Sequence, residues 1–107
     1  MRNVNQEEWR ELIANDSNAT IIDVRTPQEW NAGIIEGSIL INIQNAAGYI
    51  NDVKNLNLSN NFYLYCRSGG RSQMGCQILE SLGVENTFNL QGGIMMWNGK
   101  IVSSSNK

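Results

Sequence analysis

The stretch Cys-Arg-Ser-Gly-Gly-Arg-Ser, residues 66–72, places one cysteine between an apolar run and a pair of glycines. Arg67 follows the cysteine directly, and Arg71 stands five residues after it. A structural cysteine prefers apolar neighbours, whereas nearby cations and a helix N-terminus lower the pKa of a thiol. The spacing therefore predicts that Cys66 is an ionised nucleophile in a loop that holds an anion.

The backbone of this loop supports the same prediction. Ser68, Gly69 and Gly70 form a short turn in which glycines permit positive φ angles, so that successive N–H groups point to one place. The helix expected from Gly70 onward adds unpaired donors and a partial positive charge. We therefore expect backbone N–H groups and the two arginines to keep the sulfur ionised at neutral pH.

The chain contains no histidine, and this excludes several kinds of site at once. Cys–His dyads, Ser–His–Asp triads and imidazole metal sites are all impossible. Two cysteines are too few for a disulfide framework or a cysteine-only zinc site. We therefore expect no metal and no cofactor, and a nucleophile that works without an external base.

The two cysteines have different expected roles. The alternative for Cys66 is that it is a small buried hydrophobic residue, as free cysteines often are. Cys76 lies about six residues into the following helix, on the face that it shares with Ser72, Gly75, Leu79 and Leu82. That face predicts core packing for Cys76 and no role as a resolving thiol.

Hydrophobic periodicity predicts helices that alternate with short strands. The helices are expected at 5–14, from Pro27, at 45–55 and at 70–82, the last ended by Gly83, with a helical turn before Trp97. The strands are expected at 19–24, 38–42, 61–66 and 86–90. This order is typical of an α/β domain with a mainly parallel sheet covered on both faces.

In open α/β sheets, ligands bind beyond the carboxyl ends of the strands, where Cys66, Asp23 and Arg25 all lie. We expect Asp23 to organise nearby backbone N–H groups or Arg25. Thr26 and Glu29 are spaced as a capping box, and Arg25 and Glu29 are expected to form a structural pair.

Length and composition indicate one domain, over residues 1–100, followed by a polar, loosely held tail at 101–107. A net charge of −2 and a pI near 5.0 provide no basic surface for nucleic acid or an anionic membrane. No apolar run approaches the roughly 18 residues that a membrane-spanning helix needs. The N-terminus has no apolar core of a signal peptide, so we expect a cytoplasmic protein.

Several segments together resemble single-domain rhodaneses, which are sulfurtransferases. CRSGGRS resembles the active-site loop of that family, and IIDVRTPQEW resembles its Asp-Val-Arg element. LGVENTFNLQGGIMMW resembles the closing Leu-x-Gly-Gly and Trp segment. GIIEGSILIN departs from the usual Gly-His-Ile-Pro-Gly-Ala, because Ile34 and Glu36 replace His and Pro. This loosens the match there without touching the cysteine loop.

The resemblance implies a three-layer fold with a central parallel sheet of about five strands and helices on both faces. It also implies that Cys66 takes sulfur from a small donor such as thiosulfate and passes it to cyanide or a thiol through a persulfide. The backbone N–H groups of residues 67–71 would stabilise the persulfide, and Arg67 and Arg71 would orient the donor.

Two other functions stay open. The domain could be a persulfide carrier or interaction module that takes sulfur from a partner protein and turns over poorly with free thiosulfate. It could also be a phosphatase or arsenate reductase of the related loop type, although the short loop argues against this because those enzymes carry their arginine one residue later, at the position of Ser72. Gly92 and Gly93 predict a turn, and Met95, Met96 and Trp97 are expected in the core rather than at the pocket mouth.

Overall fold

A five-stranded parallel sheet forms the centre of the computed structural model, which describes residues 1–104. The strands are β1 (Arg2–Val4), β2 (Ala19–Asp23), β3 (Ile34–Ile35), β4 (Ser38–Leu40), β5 (Asn61–Tyr65), β6 (Thr87–Leu90) and β7 (Ile101–Val102). The sheet has the order β1-β6-β5-β2-β4, and β3 pairs with β7 in a separate antiparallel ladder. The expected α/β fold with about five parallel strands is confirmed.

Within residues 1–104, four helices and one 3-10 turn cover the sheet. They are α1 (Gln6–Ala14), α2 (Pro27–Trp30), α3 (Ala46–Lys54), α4 (Gly70–Ser81) and the turn Ile94–Met96. The bounds of α1, α3 and α4 agree with the expected ones within one or two residues, and α2 begins at Pro27 as expected. Asn5 caps α1 through the N–H of Glu8, and Thr26 and Glu29 form the predicted capping box of α2. Gly83 follows α4 with φ +99, a conformation that favours glycine.

Two apolar clusters lie on opposite faces of the sheet, and β5 contributes to both. Successive side chains of a strand point to opposite faces, so Phe62 and Leu64 face one cluster while Tyr63 and Tyr65 face the other. The first cluster holds residues of α3 and α4, and the second holds Trp9 of α1 with the partly buried Ile94 and Trp97. Three layers therefore meet at β5, the strand that leads to Cys66.

Two pairings differ from the sequence expectation. The strand β1 was not predicted; it pairs in parallel with β6 at the edge of the sheet. Ile101 and Val102, expected in a loose tail, pair with Ile35 and Ile34. Segments of two or three residues are too short to show a hydrophobic period, which is why the sequence did not reveal them. Residues 105–107 of the expected tail lie outside the described residues.

Within residues 1–104, no helix combines the length and apolar character needed to cross a bilayer. The same part of the chain contains no cluster of three or more Cys, Asp or Glu side chains that could hold a metal ion. Both cysteines are free thiols.

Candidate active site

Cys66 directly follows β5 at the carboxyl end of the central sheet, and its side chain points inward. The residue is 1% exposed, yet its sulfur is not in a purely apolar environment. The backbone N–H of Gly69 donates to Sγ at 3.1 Å, and the hydroxyl of Ser72 lies 3.4 Å from the same atom. The alternative prediction, that Cys66 is a small buried hydrophobic residue, is therefore correct about its burial but does not account for its polar contacts.

The pKa of the Cys66 thiol is the outcome of two opposed effects. Burial raises this pKa, whereas hydrogen bonds from the Ser72 hydroxyl and from the backbone N–H groups of Ser72, Gly69 and Ser68 lower it. The hydrogen bonds outweigh the burial, so the pKa lies below that of an ordinary thiol. Ser72 lies outside the predicted donor set of residues 67–71.

The conformation of Gly69 makes this arrangement possible. Gly69 is the N-cap of α4 and has φ +119, a backbone conformation that favours glycine. Its N–H faces the sulfur, while its carbonyl accepts from the N–H of Gln73 at 3.2 Å and so joins the first turn of α4. Gly70 begins the helix, and a Cβ there would meet no atom within 4 Å.

Arg71 is held in an ion pair. Its two terminal nitrogens bind both carboxylate oxygens of Glu29 at 2.7 and 2.9 Å. The Arg71 guanidinium holds the pKa of Glu29 at about 2, helped by hydrogen bonds from Thr26. The structure therefore ties α4 to α2 through Arg71, where the sequence predicted a contact between Arg71 and a bound anion.

The predicted pair between Arg25 and Glu29 is wrong, whereas the expected contact between Asp23 and Arg25 is confirmed. Both residues are buried, and the guanidinium Nη2 of Arg25 lies 2.7 Å from Asp23 Oδ2 and 2.8 Å from the Gly33 carbonyl. Asp23 also accepts from the Arg25 backbone N–H at 2.9 Å, as expected for a residue that organises nearby donors. This pair connects the end of β2 to the segment before β3.

Arg67 has no ion-pair partner among residues 1–104. It is exposed and helps to line a recess of about 320 Å³ beside the loop. The other lining residues are Arg25, Glu29, Ala32, Ile94 and Met95. Arg67 is thus an exposed arginine of the loop without an ion-pair partner among residues 1–104, and its contact with an anion stays a prediction.

The methionines after Gly93 are not in the core, and that expectation is wrong. Met95 and Met96 are 59% and 61% exposed, whereas Ile94 of the same 3-10 turn packs against the second cluster. Trp97 is half-buried and packs edge-on against Trp9 with ring centroids 5.5 Å apart. Met95 is at the mouth of the recess.

The predicted turn at Gly92 and Gly93 is confirmed, and Gly93 is in close contact with the backbone of the cysteine loop. Both glycines have positive φ angles, and a Cβ on Gly93 would lie 2.3 Å from the Arg67 carbonyl oxygen. The N–H groups of Ile94 and Met95 donate to the carbonyls of Cys66 and Arg67 at 3.0 and 3.1 Å. These bonds fix the start of the loop.

Two residues of the site were not identified from the sequence, namely Ser72 and Asn89. Ser72 is buried in the first turn of α4, a position that the start of the helix next to Cys66 could have revealed. Asn89 is in β6 and reaches the loop only through the sheet order, for which the sequence carries no local signal. Cys76 is fully buried as expected, and burial raises the pKa of its thiol to about 12.

Comparison with known proteins gives a consistent family. The profile of the Rhodanese-like domain matches residues 5–100. A rhodanese-like domain protein from Staphylococcus aureus superposes with a TM-score of 0.82 at 24% identity, covering 97% of this chain and 99% of that one, which supports the fold. The uncharacterised protein YqhL of Bacillus subtilis is 34% identical over 101 residues, which are 94% of this chain and 75% of that protein.

The named relatives differ in what they are said to do. A sulfurtransferase of Allochromatium vinosum is 27% identical over 94 residues, covering 88% of this chain and 85% of the relative. A putative sulfur carrier protein of Bacillus subtilis is 27% identical over 97 residues, covering 91% of this chain but 51% of the relative. A tRNA uridine(34) hydroxylase of Pelagibacter ubique is 25% identical over 115 residues, covering 97% of this chain and only 38% of the relative.

Cys66 lies just before α4, and its sulfur accepts hydrogen bonds from residues at the start of that helix. The family profile and the structural comparison indicate the same fold over nearly the whole chain. The chain belongs to the rhodanese-like domain family.

Proposed function

We propose that the protein is a sulfurtransferase that moves a sulfane sulfur from a small donor to a thiophilic acceptor through a persulfide on Cys66. The observation that carries this proposal is the pair of donors, Gly69 N–H and Ser72 hydroxyl, on the sulfur of Cys66. They stabilise negative charge on sulfur without a histidine, and membership of the rhodanese-like family supplies the class of chemistry.

The reaction consists of two displacements on sulfur. The Cys66 thiolate attacks the outer sulfur of a donor such as thiosulfate, the donor's S–S bond breaks, and sulfite leaves with the electron pair. An acceptor, cyanide or a thiolate, then attacks the outer sulfur of the persulfide, and the Cys66 thiolate leaves with the electron pair of that bond. No net oxidation or reduction is required, and the Gly69 and Ser72 donors stabilise the leaving thiolate.

Arg67 is the residue that we assign to the donor anion. Arg25 and Arg71 have their charges matched by Asp23 and Glu29, whereas Arg67 has no ion-pair partner among residues 1–104. A guanidinium binds a multi-oxygen anion through a planar fork of donors. Because Cys66 is 1% exposed, a donor reaches Sγ when the loop after it moves outward, and residues 67–70 are exposed or half-buried.

The test is the transfer of sulfur from thiosulfate to cyanide, measured as thiocyanate. Cys66→Ser should abolish the activity, and Cys76→Ser, which changes a buried thiol outside the site, should retain it. Arg67→Ala should raise KM for thiosulfate more than it lowers kcat, because it removes a contact with the donor. Equal rates for the protein and its Cys66→Ser variant would disprove the proposal.

A second candidate is a persulfide carrier that receives sulfur from a protein, as the name of the Bacillus subtilis relative suggests. Mass spectrometry after incubation separates the two functions. A mass increase of one sulfur atom on Cys66 with thiosulfate alone supports the sulfurtransferase. The same increase only in the presence of a persulfide-donating protein, such as a cysteine desulfurase, supports the carrier.

A further inference from the structure

The carboxamide of Asn89 lies beneath the cysteine loop and uses all of its polar atoms there. Asn89 is 4% exposed, on a strand of the sheet between β1 and β5. Its Nδ2 donates to Asn3 Oδ1 at 2.9 Å and to the Gly69 carbonyl at 3.1 Å. Its Oδ1 accepts from the Ser72 hydroxyl at 2.5 Å. A buried amide with complete hydrogen bonding is held in one orientation.

The orientation of this amide follows from its partners. The Gly69 carbonyl can only accept a hydrogen bond, so the Asn89 atom that faces it must be the NH₂ group. The opposite end, Oδ1, then faces Ser72 and can only accept. Asn89 therefore contacts two of the residues that donate to Cys66 Sγ, through the carbonyl of Gly69 and the hydroxyl of Ser72.

The Ser72 hydroxyl has one proton and three acceptors within reach. Asn89 Oδ1 is nearest at 2.5 Å, followed by the Gly69 carbonyl at 3.2 Å and Cys66 Sγ at 3.4 Å. While the Cys66 thiol is protonated, the Ser72 hydroxyl can donate its hydrogen bond to Asn89 Oδ1. When Cys66 is ionised or carries a persulfide, a hydrogen bond to the anion is the stronger one, and the hydroxyl rotates toward sulfur. No proton is transferred in this rotation.

We propose that Asn89 is a positioning residue that holds the Ser72 hydroxyl and the Gly69 peptide so that both can donate to Cys66 Sγ. It does not touch the sulfur and acts through these two residues. Its importance for turnover rests on the proposed sulfur transfer, but its effect on the ionisation of Cys66 does not.

The other charged groups near the loop do not form hydrogen bonds with the Asn89 side chain. Asp23 and Arg25 pair at the end of β2, Arg71 and Glu29 pair between α4 and α2, and Arg67 lies on the outer side of the loop. The side-chain hydrogen bonds of Asn89 within residues 1–104 go only to Asn3, Gly69 and Ser72. A substitution of Asn89 therefore leaves these pairs in place.

The first test is the pH dependence of Cys66 alkylation by iodoacetamide, which does not depend on any sulfur donor. Asn89→Asp removes the donor to Gly69 and Asn3, keeps an acceptor for Ser72 and adds a negative charge close to the sulfur. The pKa of Cys66 should rise by at least one unit, so that alkylation at pH 6 becomes about tenfold slower. The added charge alone would raise the pKa by the same amount with or without Ser72. The shift should therefore be smaller in a Ser72→Ala background, and equal shifts in the two backgrounds would overturn the proposal.

Asn86→Asp is the matched control, since it makes the same charge change at an exposed residue just before β6. It should leave the alkylation profile unchanged. An unchanged profile for Asn89→Asp, or equal shifts for Asn89→Asp and Asn86→Asp, would overturn the proposal even if sulfur transfer itself were established.

The second test needs no variant and stays informative if Asn89→Asp does not fold. The side-chain amide resonances of Asn89 in the ¹H–¹⁵N spectrum should move with the same pH midpoint as Cys66 alkylation, and the amide of Asn86 should not. Resonances of Asn89 that do not respond to the ionisation of Cys66 would show that Ser72 does not couple the two.

Discussion

Cys66 and Cys76 are the same kind of side chain, ten residues apart, and both are buried. The groups around each thiol shift the two pKa values in opposite directions. Cys66 receives hydrogen bonds that lower its pKa in spite of burial, whereas burial raises the pKa of Cys76 to about 12. Since the thiolate is the reactive form of cysteine, burial alone does not decide reactivity here.

We predict that iodoacetamide at pH 7 modifies Cys66 and leaves Cys76 intact in the folded protein. The rate at Cys66 should rise with a midpoint below about 8.5, the value of an ordinary thiol. Peptide mass spectrometry locates the adduct, and Cys66→Ser should remove the fast phase. Modification of Cys76 at a similar rate, or a midpoint for Cys66 above that of free cysteine, would contradict the arrangement of donors described above.

The ion pair between Arg71 and Glu29 is the second residue-level feature with a measurable consequence. The folded-state pKa of Glu29 is about 2 and its ordinary value is 4.5. A carboxyl with a lowered pKa stabilises the fold above its unfolded-state pKa, and this stabilisation is lost as pH falls from 4.5 toward 2. Both side chains are nearly one-third exposed, so the pair contributes about 1 kcal/mol at neutral pH.

Glu29→Gln should therefore lower the free energy of unfolding by about 1 kcal/mol at pH 7, measured by urea denaturation. Glutamine keeps an oxygen that can accept from Thr26, so the capping box survives while the charge is removed. The difference from the unsubstituted protein should fall below half of this value at pH 3. Glu36→Gln, which breaks an exposed pair with Lys100, should change stability little at either pH. A difference that does not vary with pH would contradict this assignment.

At the scale of elements, α4 packs against the sheet, and this packing depends on a glycine. A Cβ on Gly75 would lie 2.7 Å from Leu64 Cδ2 and 2.9 Å from Tyr49 Oη. The Tyr49 hydroxyl also donates to the Gly75 carbonyl at 3.0 Å, which joins α3 to α4. Close approach at this point sets the height of α4 above β5, and therefore the position of Ser72 relative to Cys66.

We predict that Gly75→Ala destabilises the protein by about 1 kcal/mol, because overpacking of about 1–3 kcal/mol outweighs the gain of about 1 kcal/mol in helix propensity. Gly70→Ala is the control for propensity, since a Cβ there meets no atom within 4 Å and stability should be unchanged or higher. Thermal unfolding of the two variants measures the contrast. A more stable Gly75→Ala variant would mean that α4 can move away from the sheet at no cost.

The sequence predicted the elements whose signals are local. The caps Asn5 and Thr26, the glycine at 83 and the apolar runs of β2 and β5 each act within a few residues, and all were placed correctly. The strand β1 and the β3–β7 ladder depend on partners far along the chain and are too short to show a period. Asn89 was missed for the same reason, since its contact with Gly69 joins residues 20 positions apart.

The misplaced charges have a related cause. Arg25, Glu29 and Arg71 offer more than one pairing, and spacing along the chain favoured Arg25 with Glu29. In the fold, Asp23 is buried next to Arg25 and needs a cation, which leaves Glu29 for Arg71. Burial of Asp23 thus decides the pairing, and burial depends on the whole sheet.

At the scale of the molecule, β5 is the strand whose fully buried side chains belong to both apolar clusters. It lies at the middle of the order β1-β6-β5-β2-β4, and its residues face α3 and α4 on one side and α1 on the other. Loss of one cluster removes the side-chain packing on one face of β5. The two faces should therefore not unfold independently.

We predict that Leu64→Ala, a change in the cluster that faces α3 and α4, weakens both faces equally. The side chain is fully buried, so the substitution should cost about 2–5 kcal/mol of unfolding free energy. Two of the three tryptophans, Trp9 and Trp97, are in the other cluster, so in a Trp30→Phe background tryptophan fluorescence reports on the face where no atom was removed. Urea unfolding followed by tryptophan fluorescence and by far-ultraviolet circular dichroism should give coincident transitions, both shifted to lower urea by the same amount.

Ile78→Ala, at a half-buried residue packed against the same cluster, should give a smaller shift, and its two transitions should also coincide. Two separate transitions, with the fluorescence midpoint of Leu64→Ala unchanged, would show that the faces are independent and that β5 does not couple them.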